Sequence, residues 1–173
     1  MHHVLQVTEL LNSIFLFLKR DDQVRCALIC RSWSEVALDA IWSEVDDLRK
    51  LANLISPAKV QVNDGGDVSY IFDPVPGPKR WKRFESHYSH RVRVLNLKPL
   101  PKYHDLLPLL SAIQNIRTSL GILPNLHELN WDASGSRGRG GLEHMMMFMH
   151  ENIKEYSLIT ERESDINAPS LMF

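Results

Sequence analysis

The sequence contains few residues whose types and spacing suit covalent or metal chemistry. Cys26 and Cys30 lie four positions apart, but a metal site needs further ligands, and no cluster of His or Cys lies near them in the sequence. The eight histidines are scattered, and no nucleophile stands with a base in a recognisable pattern. We therefore predict no catalytic residue, no metal site and no cofactor, and we expect that the protein is not an enzyme.

A second candidate is the basic segment at residues 79–93, in which cations alternate with Trp81, Phe84 and Tyr88. Basic and aromatic residues interleaved in this way are typical of nucleic-acid-binding surfaces. The spacing of the three aromatics, however, places them on one face of a helix, which favours their burial with the cations in solvent. The formal net charge is only −1, whereas nucleic-acid-binding domains are usually basic. We expect no nucleic-acid partner.

The remaining candidates are large apolar side chains near the N-terminus, which suit binding to a protein. Leu10, Leu11, Ile14, Phe15 and Leu18 recur with the spacing of one helix face. A helical unit of about fifty residues buries too little surface to be stable alone. Part of this apolar face is therefore expected to be covered by a partner. The alternative is that these residues form only a helical core.

Helices are the elements that must position these side chains, and residues 4–56 are predicted to be helical. No Gly or Pro interrupts the segment before Pro57. Asp21 or Asp22 is expected to cap a second helix by accepting hydrogen bonds from free backbone N–H groups. A short helix is predicted at residues 45–55. We interpret the whole segment as one helical domain.

Gly, Asp and Pro dominate residues 57–78. Turn-forming residues at that density predict an irregular linker. One short strand is predicted inside it, from Val68 to Phe72. The linker would separate the N-terminal helices from the rest of the chain.

An L-x-x-L-x-L pattern of apolar residues occurs three times after the linker, beginning at Val92, Leu126 and Ile153. Leucine-rich repeats carry this pattern about every 20–29 residues. The intervals here are 34 and 27 residues, so the first needs an insertion. Helices are predicted between the strands at residues 103–120 and 142–152, which implies parallel strands joined by helical crossovers. Apolar triplets at such spacing also arise in other α/β proteins.

Two stretches of the chain resemble a known family. The first resembles an F-box, and its residues are Thr8-Glu9-Leu10-Leu11, Ile14 to Leu18, Arg25 to Trp33 and Trp42. The second, at residues 80–95 and 123–126, resembles the segments that lead into the first leucine-rich repeats of fungal F-box proteins. The chain therefore resembles the F-box proteins with leucine-rich repeats found in basidiomycete fungi, as a short or truncated member.

The resemblance implies an α + α/β fold, in which a three-helix F-box precedes a short, incomplete leucine-rich-repeat solenoid with parallel strands. The solenoid would span residues 79–158, and residues 159–173 would form a disordered tail. The implied function is that of a substrate receptor in an SCF-type cullin-RING ubiquitin ligase, which acts in ubiquitin-dependent protein degradation. The F-box would bind the Skp adaptor, and through it the cullin, while the repeats present a protein substrate.

The resemblance also indicates which residues contact the adaptor, whereas the substrate-binding residues are unknown. The implied adaptor contacts are Leu5, Val7, Leu10, Leu11, Ile14, Phe15, Leu18, Val24, Leu28, Trp33 and Trp42. F-boxes usually begin with Leu-Pro just ahead of this region. Here Gln6, Val7 and Thr8 occupy those positions, so the first helix is expected to start less rigidly.

Two alternatives to a ligase subunit are an interaction scaffold that works without a ligase and a truncated, inactive fragment. Residues 1–3 lack the basic start of a signal peptide. The longest apolar cluster, Ile14 to Leu18, is much shorter than the roughly 20 residues that a membrane span needs. The two cysteines form no disulfide framework and fit a reducing compartment. We expect no membrane partner and a location in the cytosol, the nucleus or both.

Overall fold

The computed structural model describes residues 7–101, 103–132 and 144–160. The helices are α1 (Thr8–Leu16), α2 (Arg20–Ala27), α3 (Arg31–Trp42), α4 (Leu48–Ile55), α5 (Pro78–His87) and α6 (Leu107–Ile116). The strands are β1 (Glu44–Val45), β2 (Ala58–Val62), β3 (Val68–Phe72), β4 (Val94–Leu97), β5 (His104–Asp105), β6 (Glu128–Asp132) and β7 (Glu155–Ile159). None of these helices is long and apolar enough to cross a membrane.

The first three helices enclose a small core of their own. Leu11, Phe15, Val36 and Ala37 are buried there. The ring of Trp33 packs edge-to-face against Phe15, with the two ring centroids 5.5 Å apart. Each large apolar side chain contributes about 1.5–3 kcal/mol on burial. Because only four of the described residues are buried in this core, the total stabilisation that it provides is small. The three helices fit the three-helix arrangement that the resemblance implies.

The N-terminus of α2 is not capped by the aspartate that the sequence predicted. Lys19 holds the N-cap position, and no side chain caps the helix there. Asp21 and Asp22 lie in the first turn instead, where carboxylates favour the positive end of the helix dipole. The prediction of an aspartate cap is therefore wrong. Gln23, which is buried, fixes the turn between the helices by donating from Nε2 to the carbonyl oxygen of Phe15 at 2.8 Å.

A parallel sheet in the order β1-β4-β6-β7 contains the three predicted strand segments. Leu95 pairs in register with Val45 and Leu129, and Leu97 pairs with Trp131. All five side chains are buried, because residues two apart along a strand point to the same face of the sheet. The prediction of parallel strands is confirmed, and α6 joins β4 to β6 within the predicted helical segment. The two-residue strand β1 was not predicted.

Most of the described part of the predicted helix at residues 142–152 is not helical. Only His144 and Met145 have helical backbone, and turns follow them. The first two residues of that prediction lie outside the described residues. Of the predicted tail, Ile159 still belongs to β7, and residues 161–173 lie outside the described residues.

Residues 58–72 form a hairpin inside the predicted linker at residues 57–78, so the prediction of an irregular linker is wrong for that part. Strands β2 and β3 pair antiparallel along their whole length, and β5 joins the other side of β3 in parallel. Asn63 Oδ1 closes the turn by accepting hydrogen bonds from the backbone N–H groups of Gly65 and Asp67, at 3.0 and 2.8 Å. Gly66 has a φ of +80°, which glycine adopts without strain. The turn-forming residues thus mark a hairpin tip, and the predicted short strand is present as β3.

Helix α4 belongs to the core of the sheet and not to that of the first three helices. Leu48 and Leu51 are buried in the same cluster as the inward-facing residues of β4 and β6. Asp47 caps the helix, because its Oδ1 accepts from the backbone N–H of Arg49 at 2.8 Å. The predicted domain boundary at residue 56 is therefore too late. Helical periodicity identifies an apolar face, but it does not show which core that face enters.

The sheet core gives a direct test of this architecture. Leu129 is fully buried at the centre of the parallel sheet, whereas Leu120 is 84% exposed. We expect Leu129→Ala to lower the free energy of unfolding by about 2–5 kcal/mol, since it leaves a cavity. Leu120→Ala should change it by less than about 0.5 kcal/mol. Urea denaturation of the full chain measures both, and equal losses would contradict the burial of Leu129.

Candidate functional site

Helices α1 and α2 expose large apolar side chains to solvent. Leu10, Ile14 and Phe17 share one face of α1 and the turn that follows it, and Leu28 lies one helical turn beyond Val24. Phe17 is 91% exposed and Leu28 is 82% exposed. Apolar side chains gathered in this way on a surface mark an interaction site. The set, which we name the exposed apolar surface, consists of Val7, Leu10, Ile14, Leu16, Phe17, Val24, Leu28 and Ile29.

The structure divides the implied adaptor contacts into three groups. Those on the exposed apolar surface are Val7, Leu10, Ile14, Val24 and Leu28. Those in or against the first core are Leu11, Phe15, Leu18 and Trp33. The third group is Trp42 alone, which packs against the sheet core. The remaining residue, Leu5, lies outside the described residues. Contact with the adaptor stays a prediction for all of them.

Leu16, Phe17 and Ile29 belong to the exposed apolar surface although the sequence reasoning did not select them. Phe17 follows Leu10 by seven positions and Ile14 by three, which is the spacing of one helix face. Extending the same helical spacing one residue beyond the end of α1 predicts that Phe17 lies on this face. Adjacent residues lie about 100° apart around a helix, so Leu10 and Leu11 do not share an environment.

The Arg91 side chain fastens α3, the third helix of the N-terminal unit, to the sheet body. Arg91 lies in the 3-10 turn after α5 and is only 6% exposed. It donates from Nε to the carbonyl oxygen of His87 at 2.6 Å, and from Nη1 to the carbonyl oxygen of Glu35 at 3.0 Å. It also forms ion pairs with the carboxylates of Glu35 and Asp39 in α3. The hydrogen bond from Arg91 lowers the pKa of Glu35 below its ordinary value.

Aromatic contacts reinforce the same junction. The rings of Trp42 and Tyr88 meet edge-to-face, with centroids 6.1 Å apart. The guanidinium of Arg20 lies over the Trp42 ring at 5.4 Å and donates from Nη1 to the carbonyl oxygen of Ile41 at 3.0 Å. The end of α3 is therefore held from both sides. Trp42 serves this junction and not the exposed apolar surface.

The basic segment at residues 79–93 offers no aromatic face to a nucleic-acid base. Trp81 and Phe84 are buried, as the helical spacing predicted, and Tyr88 is half-buried against Trp42. Stacking on bases requires exposed rings. Arg91, one of the cations in this segment, forms ion pairs with Glu35 and Asp39 of α3 and is not exposed to a phosphate backbone.

The environment of Cys26 disfavours its reactive thiolate form. Cys26 and Cys30 are free and half-buried. Burial, followed by the nearby carboxylate of Asp22, raises the pKa of the Cys26 thiol, so less of it is the nucleophilic thiolate. In the described part of the chain, no three side chains of His, Cys, Asp or Glu stand close enough together to hold a metal ion.

Comparison with known families identifies the unit that carries the exposed apolar surface. Residues 8–47 match the F-box-like family. The chain therefore contains an F-box-like domain, which supports its resemblance to F-box proteins. The comparisons with curated proteins and with solved structures gave no significant match. Leucine-rich repeats and membership of the fungal class stay predictions.

The junction at Arg91 generates a testable expectation. Arg91→Met keeps the length of the side chain but removes its hydrogen bonds, so we expect the free energy of unfolding to fall by about 1–3 kcal/mol. The value is modest because Glu35 and Asp39 are half-exposed and screened by solvent. Urea denaturation at neutral pH measures the loss. The control is Arg93→Met, which changes an exposed arginine nearby.

The pH dependence of that loss follows from the Glu35 pKa. A lowered pKa in the folded state stabilises the fold above the unfolded value of about 4.3, and the stabilisation disappears as the pH falls through the folded value. The difference between wild type and Arg91→Met should therefore shrink in acid. A difference that grows as the pH falls would show that the carboxylate does not stabilise the junction.

Proposed function

We propose that this chain is the substrate-receptor subunit of an SCF-type cullin-RING ubiquitin ligase. In this proposal the F-box-like domain binds the Skp adaptor, and through it the cullin, while the sheet body presents a protein substrate. The subunit itself catalyses no reaction. The observation that carries the proposal is the exposed apolar surface, because all of its residues except Val7 lie within the segment that matches the F-box-like family.

The energetics of that surface suit a stable protein interface. Each large apolar side chain contributes about 1.5–3 kcal/mol when a partner buries it. Association costs at least about 4 kcal/mol in lost motion, so several such side chains are needed together. Phe17 and Leu28 have the most surface left to bury. Val7 supplies apolar surface at the N-cap of α1, next to where the family usually has Leu-Pro.

We also propose that the parallel sheet is a short leucine-rich-repeat unit. Its support is the register: the second apolar residue of each pattern, Leu95, Leu129 and Tyr156, falls at one level of the sheet, and the third falls two residues on. Strand β1 precedes the series and extends it by one strand. Adjacent parallel strands of this kind present their outward side chains as one continuous face.

We further propose that the protein acts in the cytosol or the nucleus. The support is chemical: Cys26 and Cys30 are free thiols, which persist in reducing compartments. A ubiquitin ligase receptor also needs its adaptor and cullin in the same compartment.

Co-expression with a Skp adaptor, followed by size-exclusion chromatography, tests the central proposal. We expect wild type to co-elute with the adaptor. Leu28→Asp and Phe17→Asp should weaken binding at least about tenfold each, because a buried carboxylate without a partner opposes the interface. Leu120→Asp is the matched control, since Leu120 is as exposed as Leu28 but lies outside the F-box-like domain.

Two outcomes of that experiment would count against the proposal. Failure of wild type to co-elute, where an established F-box protein does so, would remove adaptor binding. Equal loss with Leu120→Asp would mean that the exposed apolar surface is not the interface. Cullin capture by the co-eluting complex then separates a ligase receptor from a scaffold, because a scaffold recruits no cullin.

A further inference from the structure

Strand β7 forms one edge of the parallel sheet, and its side chains are exposed. The strands lie in the order β1-β4-β6-β7, so β7 pairs with β6 on one side only. All five residues of β7 are exposed, whereas Leu129 and Trp131 of the neighbouring strand are buried. Among the residues that the structure describes, no strand lies beyond β7. The sheet therefore ends in an open edge, which is a template for pairing with another strand.

The apolar face of the sheet continues onto β7. Tyr156 stands in register with Leu129, and Leu158 stands in register with Trp131. Both side chains of β7 therefore point to the face that the core covers on β6. Tyr156 is nevertheless 62% exposed and Leu158 is 37% exposed. Burial of this apolar surface against a partner would be favourable.

The backbone of β7 presents hydrogen-bonding groups at the open edge. Glu155 donates from its N–H to the carbonyl oxygen of His127 at 3.1 Å, so the backbone of Glu155 faces β6. Alternate residues of a strand bond to the same neighbouring strand, and Ser157 therefore faces β6 as well. The N–H and C=O groups of Tyr156 and Leu158 consequently point away from the sheet. A strand added at this edge would form hydrogen bonds with those two residues.

A second copy of β7 fits this edge when the two strands run antiparallel about a two-fold axis. Such an axis makes one surface complementary to itself. With the axis at Ser157, Tyr156 of one copy lies opposite Leu158 of the other, and the two residues exchange both of their backbone hydrogen bonds. An aromatic side chain then packs against an aliphatic one on each side of the axis. The apolar faces of the two sheets become one face.

The side chains of β7 favour this register over its neighbours. An axis one residue before Ser157 would place Lys154 of one copy opposite Leu158 of the other. An axis one residue after Ser157 would place Tyr156 opposite Thr160, which separates Tyr156 from its apolar counterpart. The register centred on Ser157 pairs apolar residues on the apolar face and places no two like charges directly opposite each other, an arrangement that would be destabilising.

We propose that the chain forms a two-fold dimer through antiparallel pairing of β7 with β7 of a second copy. The pairing joins five residues of each strand, which is fewer than the roughly 20–30 residues a side of a standard interface. The dimer is therefore weak and reversible. It goes beyond the proposed function and does not depend on it, because β7 lies outside the F-box-like domain.

Sedimentation velocity of the full chain across the micromolar range tests the dimer. We expect wild type to shift from monomer to dimer as its concentration rises, without larger species, because a two-fold interface is closed. Tyr156→Lys should weaken the dimer at least about tenfold, since it places a charge at each paired edge. The matched control is Val60→Lys, which should dimerise as wild type does. Val60 is 58% exposed on β2, an edge strand of the other sheet.

Cysteine cross-linking tests the register. The two copies of Ser157 form a non-hydrogen-bonded pair across the axis, with Cα atoms about 4.5 Å apart, a distance that a disulfide spans. We expect Ser157→Cys to give a disulfide-linked dimer under mild oxidation. In Glu155→Cys the two new cysteines would lie four positions apart along the strands, roughly 13 Å. Its cross-linking should not exceed that of wild type, which already carries Cys26 and Cys30. Thermal unfolding establishes that each variant is folded.

Each outcome either supports the dimer or overturns it. A wild type that stays monomeric throughout, or full dimerisation of Tyr156→Lys, would overturn the proposal. A monomer that dimerises only after deletion of residues 161–173 would show that this segment occupies the edge instead. Equal cross-linking of Ser157→Cys and Glu155→Cys would contradict the register. Loss of adaptor binding in wild type would leave all of these measurements interpretable, so the dimer and the proposed function fail separately.

Discussion

The buried guanidinium of Arg91 is the interaction on which the relation between the two cores depends. It satisfies backbone carbonyls on α5 and α3 and pairs with Glu35 and Asp39. A buried arginine is costly unless its donors are matched, so this side chain tolerates few arrangements of its surroundings. The edge-to-face contact of Trp42 with Tyr88 restricts the junction further. The F-box-like domain is therefore positioned on the sheet body and not merely tethered to it.

The small core of the first three helices explains why their outer side chains remain available. Leu11 and Phe15 turn inwards, while Leu10 and Ile14, one position earlier in each case, stay at the surface. A unit of this size cannot bury both sets. The inner set stabilises the helices, and the outer set gains burial only from a partner. Stability of the helices and the proposed docking thus use neighbouring positions along α1.

Local patterns predicted the elements well but not the core that each element joins. The spacing of Trp81 and Phe84 correctly predicted a buried helix face, and the apolar triplets correctly predicted parallel strands. Helix α4 was assigned to the wrong unit, because its periodicity is the same whichever core covers it. The hairpin over residues 58–72 was not predicted. Turn-forming residues such as Asn63 occur both in linkers and at hairpin tips, and only the pairing of β2 with β3 distinguishes the two. The junction of Arg91 with Glu35 and Asp39 joins residues that lie far apart in the sequence, which no single segment encodes.

The exposed apolar surface and the junction at Arg91 depend on different forces. Burial of Phe17 and Leu28 is hydrophobic and is little affected by moderate salt. The ion pairs of Arg91 with Glu35 and Asp39 are Coulombic, and salt screens them less than it screens exposed pairs because Arg91 is buried. A ligand shifts a conformational equilibrium only when it binds one state better than another. Burial of the exposed apolar surface by an adaptor would leave the contacts of Arg91 with α3 in place, so the proposed receptor would hold its sheet body in one position relative to the adaptor.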